Sequence, residues 1–472
     1  MIKKIVAIIL FSELLLLSAF SQNTPRNYNK SIVPEEVRKL SASFADGLRD
    51  FYTENYTSAE SNFRYVISKN PQNDAAFFML SKIRSANKDY AGAAYYLQEA
   101  MKIDKHNEWY VVEMAKVNDN LGDYKQSSKY WEEVCKLKPT NEYYLFSLAD
   151  AYLNFEKYFE VIKVYDRLEK LVGKNDEITD AKKNIYLYLN DVKSAVAEYD
   201  KLIKEFPYEV KYYTQAGNIY LTNNMPDKAY EYFQNALKID KENPYVHLSL
   251  ADYYQEKNKE DECFKSLLTA FKSDELEMEE ILPILQSFFS KALTTKDEKN
   301  IKKTRQLVDV IVISHPDAIE AWATLAGLQL LKGSYEDARI SLEKALSLNS
   351  TQFTIWEDYL FVLSQLKDYQ TIVNNEAEIT ELFPTNAMML YSLGMAFQNL
   401  LQHDVAVNYL NQAAMYAFDT TLLARIYFVL GDAYFDLKNY PEAIKNWKLA
   451  IKKGLSNPEI KNKIESAESL LK

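Results

Sequence analysis

The chain has 472 residues, 47% of them hydrophobic and 26% charged, which is enough apolar surface to support several domains or one long array. A net charge of −11 lacks the basic footprint of a nucleic-acid binder, and only 10 glycines argue against phosphate-cradling loops and turn-dense β-sandwiches. Two cysteines and four scattered histidines rule out a disulfide framework and offer no metal-ligand spacing, so neither a metal nor any other cofactor is expected.

Residues 1–21 read as a secretory leader. Lys3 and Lys4 precede an apolar run from Ile5 to Phe20, and Ala19 and Ser21 stand at the −3 and −1 positions of a cleavage site before Gln22, the pattern of a cleaved signal. The run is short for a membrane span, which needs roughly 20 apolar residues, and Glu13 interrupts it. Contact with a membrane is expected only if this segment stays uncleaved as an anchor. Residues 22–39 read as a flexible lead-in and the start of the first helix, with Pro34 near its N-terminus, where helices tolerate proline.

From residue 40 onward the chain repeats itself. Pro71, Pro139 and Pro207 are spaced by 68 residues, twice 34, and so are Pro316 and Pro384. Placing these prolines at position 32 of a 34-residue unit sets a register with starts at 40, 74, 108, 142, 176, 210 and 244. A longer, atypical unit covers 278–318, and units resume at 319, 353, 387 and 424. Positions not used to set the register then agree. Position 20 is alanine in seven units (Ala59, Ala93, Ala195, Ala229, Ala338, Ala406 and Ala443), and position 17 is tyrosine in seven. Position 8 is small, as at Gly47, Ala115, Gly217 and Gly431, while position 24 is large, as at Phe63, Trp131, Phe233 and Trp447. Small residues let two helices approach closely, the large one fills the groove beside them, and proline ends the second helix.

This pattern resembles the tetratricopeptide-repeat family over residues 40–457. Its strongest unit is 319–352, with Trp322, Leu325, Ala326, Tyr335, Ala338 and Ala345 at the family's positions. The resemblance implies an all-α fold, a right-handed superhelical solenoid of about twelve helix-turn-helix repeats: seven over 40–277, the atypical unit, and four over 319–457. Residues 458–472 then read as a capping helix with Ile460, Ile464 and Leu470 facing inward, since array ends need a solvated cap. Repeat five departs from the family with Lys182 and Lys183 at positions 7 and 8, and repeat ten with Ile372 and Glu376 at positions 20 and 24. Cys135 and Cys263 fall on packing faces of units that are not neighbours, so both are expected as free, buried thiols.

No catalytic constellation stands out. There is no Gly-x-Ser-x-Gly elbow and no phosphate loop, and almost every residue after 40 belongs to a repeat or a cap, which leaves no block for a catalytic domain. An enzyme is therefore not expected. In the family, inner-face positions of the first helix of each repeat contact partners. Carried onto this chain, they give Trp109, Lys116, Asp119 and Asn120 in repeat three, Tyr143, Asp150 and Asn154 in repeat four, Asn184 and Tyr188 in repeat five, Asn218 in repeat six and Asp252 in repeat seven. Asn120, Asn154, Asn184 and Asn218 recur in four consecutive units; each amide carries donor and acceptor, so they read as a ladder for the backbone of an extended peptide. The lysine-asparagine clamp of chaperone-tail binders is not reproduced. In the C-terminal block, Phe361, Met388, Tyr391, Met395 and Phe428 make the inner face more apolar.

The expected function is a non-catalytic protein-interaction scaffold of the bacterial cell envelope, exported to the periplasm or associated with the outer membrane. Lysine-, asparagine- and tyrosine-rich composition and a leader ending Phe-Ser just before Gln22 resemble exported Bacteroidota-type proteins. Its partners are proteins, not nucleic acid, and its oligomeric state is left open. The alternative is an accessory role in polysaccharide handling or export, with some of the 64 aromatic residues as sugar-stacking platforms.

Overall fold

The computed structural model describes residues 35–471; the expected leader at 1–21 and most of the lead-in lie outside the described residues. Among the described residues there are 26 helices and no strands, and no helix is long and apolar enough to cross a membrane. The chain divides into two compact units, Met1–Glu198 and Tyr199–Lys472, and the division falls inside the helix Val192–Glu205. Each unit is a solenoid of helical hairpins.

The hairpins have one plan. First helices begin at Asp74, Glu108, Glu142, Asp176, Val210 and Pro244, and again at Ile319, Phe353 and Ala387, 34 residues apart within each series. Tyr56, Tyr90, Tyr124, Tyr158, Tyr335, Tyr369 and Tyr440 each open a second helix. The turn between the two helices is equally regular. Two residues before these helices the backbone turns left-handed, at Glu54, Lys88, Gly122, Glu156, Gly333, Lys367 and Lys438. The residue between is often an Asp or Asn whose side chain accepts a backbone N–H of the new helix, as Asp89 does from Gly92, Asp123 from Gln126 and Asp368 from Thr371. Such a cap satisfies a donor that has no partner inside the helix.

The two helices of a hairpin close on small residues. All seven alanines at position 20 are fully buried, as are Phe63, Leu97, Phe233, Leu342 and Leu410 at position 24. Gly217 sits directly against the ring of Phe233, and Gly431 against Trp447. In the first unit the core runs from Ala59 and Phe63, through Leu97 and Met114, to Trp131, Leu145 and Leu168. In the second it runs from Phe233 and Leu250 to Trp447 and Ile460 of the last helix, Glu459–Leu470. Ile464 packs against this end while Leu470 is exposed.

Three hairpins deviate. In repeat five Lys182 is completely buried, and its ammonium meets Asp166 at 2.6 Å, Glu198 at 2.8 Å and Glu169 at 3.2 Å. Three carboxylates thus replace the apolar neighbours a leucine would have. The atypical unit has longer helices, Met278–Thr295 and Glu298–Ser314, with Pro283 inside the first; it is tied down by Ser314 donating to the Phe271 carbonyl at 2.7 Å and by His315 Nε2, 2.7 Å from the Leu276 carbonyl oxygen. In repeat ten the second helix is broken into Tyr369–Asn374 and Glu376–Leu382. The Asn375 amide donates to the Thr371 carbonyl at 2.7 Å, and Glu376 turns to accept the Tyr409 hydroxyl.

The cysteines are free; Cys135 is buried, but Cys263 is only half-buried. Cys263 stands at a position-20 site, yet it lines an open cleft beside the atypical unit.

Candidate functional site

The first unit holds a cleft of about 420 Å³ between the hairpins of repeats three and four. Its walls are three helices, Glu108–Leu121, Tyr124–Leu137 and Glu142–Asn154. Asn107 caps the first of them, Asp123 the second and Asn141 the third, each through a side-chain oxygen that accepts a backbone N–H at 3.1–3.2 Å. Left-handed Gly122 ends the first helix. Helical periodicity then aims Lys116, Asp119 and Asn120 from one side and Tyr143, Ser147, Asp150 and Asn154 from the other. Six of the eleven sequence-predicted residues therefore line one cleft: Lys116, Asp119, Asn120, Tyr143, Asp150 and Asn154.

The remaining five lie elsewhere. Trp109 is 59% exposed on the first turn of its helix and does not line the cleft. Asn184 is exposed, and Tyr188 meets the Tyr158 ring at a tilt of 47°, with ring centroids 5.0 Å apart. Asn218 belongs to the second unit and is half-buried. Asp252, also in the second unit, lines a different cleft of about 540 Å³, together with Cys263, Phe264, Phe288, Lys291 and Lys303; loss of water there pushes its carboxyl up from the ordinary value.

The asparagines are engaged differently from a free ladder. The Asn120 amide donates to the Lys116 carbonyl at 2.8 Å and the Asn154 amide to the Asp150 carbonyl at 2.9 Å. Each side chain folds back onto the preceding turn of its own helix. One N–H of each amide is occupied, leaving the oxygen and the second N–H for a partner.

The electrostatics of the cleft centre on two carboxylates. Asp119 accepts the Ser127 hydroxyl on one oxygen and the Trp131 indole N–H on the other at 2.9 Å. Trp131 is itself buried and meets Tyr143 edge-on, centroids 6.1 Å apart. The Lys116 ammonium lies 5.7 Å over the Tyr143 ring, and among the described residues no ion pair joins it to either carboxylate. Asp150 has its carboxyl pushed up from the ordinary value, first by loss of water in the cleft and second by the charge of Asp119.

Sequence reasoning missed Tyr124, Trp131, Ser147 and Ala151 as lining residues. Trp131 carried a usable signal. A buried indole N–H needs an acceptor, and an aspartate one hairpin turn away supplies it.

A second site of the same kind closes the C-terminal end. A cleft of about 1010 Å³ is lined by Tyr391, Met395, Phe428, Asp432, Trp447 and Lys463, among others. Three of the five residues expected to form the apolar inner face are in it; Phe361 and Met388 are not. Asp432 accepts the Trp447 indole N–H at 2.9 Å and pairs with Lys463 at 2.8 Å. The Lys463 ammonium also lies 5.2 Å from the Phe428 ring centroid and 5.9 Å from that of Trp447. Among the described residues no group of three or more histidine, cysteine, aspartate or glutamate side chains is placed to hold a metal ion.

Family models of a helical repeat match four segments of the chain. Models of the tetratricopeptide repeat match residues 210–243 and 319–352 and residues 44–108 and 391–453. A human protein O-mannosyl-transferase, TMTC1, is 31% identical over 84 residues, which is 18% of this chain and 10% of that one. The chain thus spans about a tenth of the length of that relative. Among solved structures, the Naa15/Naa10 complex bound to HypK-THB is 12% identical, with 92% of this chain and 80% of that chain covered and a TM-score of 0.39. A tetratricopeptide repeat protein from Parabacteroides merdae is 13% identical, with 49% and 92% covered and a TM-score of 0.31. The Cut9-Hcn1 hetero-tetramer of the APC/C is 14% identical, with 92% and 91% covered and a TM-score of 0.30. Built of helical hairpins on a 34-residue period and matched in four segments by models of that repeat, the chain is an all-α protein that carries tetratricopeptide repeats.

Proposed function

We propose that this chain is a non-catalytic scaffold that captures extended segments of partner proteins in clefts between its hairpins, and that it works in the bacterial cell envelope. One observation carries the first part: Lys116, Asp119, Asn120, Tyr143, Asp150 and Asn154 converge on a single open cleft. Such a cleft has charged, amide and aromatic groups within reach of one extended chain, and tetratricopeptide repeats suit protein partners. The envelope role rests on the leader-like sequence of residues 1–21 and on composition.

The other reading is an accessory role in polysaccharide handling. Trp109, Tyr143 and Tyr188 are each more than half exposed, as sugar-stacking platforms would be. Only Tyr143 lines the cleft, so a protein segment is the preferred occupant.

The test is crosslinking and co-purification from the native envelope, comparing wild type with Tyr143→Ala/Asn154→Ala. Loss of a stoichiometric protein partner, with helicity retained, supports capture in this cleft. An unchanged partner list rejects it. Recovery of glycan without a protein partner favours the alternative. Fractionation of the same cells decides the location.

A further inference from the structure

The two tryptophan-aspartate sites share a plan and differ in one group. In each, a buried tryptophan at position 24 donates its indole N–H at 2.9 Å to an aspartate on the first helix of its own hairpin: Trp131 to Asp119, and Trp447 to Asp432. In each, the next helix of the chain sends a charged side chain into the same cleft. At the C-terminal site that side chain is Lys463, which pairs with Asp432 at 2.8 Å and stacks on Phe428 and Trp447. At the N-terminal site it is a second acid, Asp150.

At the C-terminal site the acid is therefore paired with the protein's own ammonium, and at the N-terminal one it is not. Asp119 has both oxygens engaged by neutral donors. No hydrogen bond or ion pair reaches the Asp150 carboxylate among the described residues, and it feels Asp119 as a like charge. Lys116, the cleft's single cation, is turned onto the Tyr143 ring. The cleft carries one negative charge in excess, beside an exposed tyrosine and a buried indole.

We propose that the cleft formed by residues 116–154 binds a lysine or arginine side chain of a partner segment, which takes beside Asp119, Asp150 and Tyr143 the place that Lys463 takes beside Asp432 and Phe428. This rests on the proposal that the cleft captures protein segments, and it names the chemistry of the segment. A basic side chain would neutralise the excess charge, satisfy Asp150 with a charge-assisted hydrogen bond and lay its cation against an aromatic face. The flanking amides of Asn120 and Asn154 would hold the neighbouring peptide groups.

The test uses the full chain against a display library of random decapeptides, in parallel with Asp150→Asn and with Tyr143→Ala/Asn154→Ala. Enrichment of lysine or arginine at one peptide position on wild type, lost on Asp150→Asn, is the expected result. An enriched decapeptide is then synthesised with that lysine or arginine or with norleucine. Norleucine should weaken binding about tenfold to wild type and have no further effect on Asp150→Asn. Peptides that lose binding to Tyr143→Ala/Asn154→Ala but show no basic preference overturn this inference and leave cleft capture standing. Peptides indifferent to all three substitutions, or no enrichment at all, overturn both.

Discussion

Gly47 and Phe63 occupy one space: a Cβ built on Gly47 would lie 2.9 Å from two atoms of the Phe63 ring. Glycine inside a helix costs about 1 kcal/mol against alanine, so its presence there needs a reason, and the close approach of the two helices supplies it. Phe63 is fully buried and has no room to retreat. Gly47→Ala should therefore destabilise the first hairpin by about 1 kcal/mol, since overpacking of about 1–3 kcal/mol exceeds the gain in helix propensity. In a Phe63→Leu background the same change should cost less. The coupling is read by a double-mutant cycle of thermal unfolding, and simple additivity would show that the contact is not limiting.

The buried lysine of repeat five gives a second expectation. Lys182→Met keeps the length of the side chain and removes only the charge, so Glu198 and Glu169 lose the ammonium that lies 2.8 and 3.2 Å from them. Breaking a buried pair from one side costs about 3–5 kcal/mol; Asp166 is half-exposed and screened, so the low end applies. Because a repeat array unfolds locally, amide exchange over 176–198 should speed up by about a hundredfold, the equivalent of about 3 kcal/mol. Burial alone would lower the Lys182 pKa, but hydrogen bonds to Asp166 and Glu198 outweigh it and the net shift is upward from 10.5. A raised lysine pKa stabilises the fold fully below the unfolded value and loses that contribution as pH rises through the folded one. Protection of 176–198 should therefore stay level across neutral pH and fall only above about 10.4. Unchanged exchange in Lys182→Met would show that water replaces the ammonium.

Much of this architecture is legible in the sequence because each hairpin uses the same contacts. Prolines 68 residues apart each stand three residues before a helix start on the 34-residue period, and alanine at position 20 is buried wherever it occurs. The candidate cleft was half legible. Helical phase puts Lys116, Asp119 and Asn120 on one face from sequence alone, but phase does not say which neighbouring faces close on each other. Trp109 shares the inner-face register yet stands about two turns before Lys116, outside the cleft, and Asn120 and Asn154 donate first to their own helices, a local competitor that spacing does not reveal. The Lys182 cluster was not legible. Its partners are 16, 13 and 16 residues away on two other helices, and sequence shows only a lysine where the family has an apolar residue.

Asp150 should trade stability for binding. Loss of water in the cleft, and secondarily Asp119, raise its pKa in the folded state. The protonated form is therefore favoured by folding, and the ionised form carries a penalty that is relieved as pH falls through the raised value. Asp150→Asn should raise the midpoint of thermal unfolding slightly at pH 7, by an amount worth a few tenths of a kcal/mol given its solvent exposure. The advantage should disappear as pH falls below the ordinary aspartate range. The pair of scans at pH 7 and near pH 3.5 checks the sign; a loss of stability at neutral pH would mean that the carboxylate is held by a favourable contact in the free protein.

The two thiols should differ in accessibility, since neither is bonded. Cys135 is 2% exposed in the core of repeat three, and burial pushes its thiol up to about 11. Cys263 is half-buried and lines the cleft beside Phe264 and Lys303; burial raises its thiol too, with Lys303 opposing. The thiolate is the reacting form, so at pH 7.5 both should be slow towards a maleimide. Cys263 should still be labelled first, in the folded protein, because the reagent reaches it through the open cleft. Cys135 also lines a cleft, of about 260 Å³, but is nearly covered there, so it should be slower and gain speed when urea is added. Mass spectrometry of the labelled tryptic peptides separates the two rates. Its raised pKa also has a consequence for stability: folding favours the neutral Cys135 thiol, so its contribution is complete below about pH 8.5 and is lost as pH rises towards about 11. Cys135→Ser should remove that alkaline loss, and early labelling of Cys135 in the folded protein would place it outside the packed core.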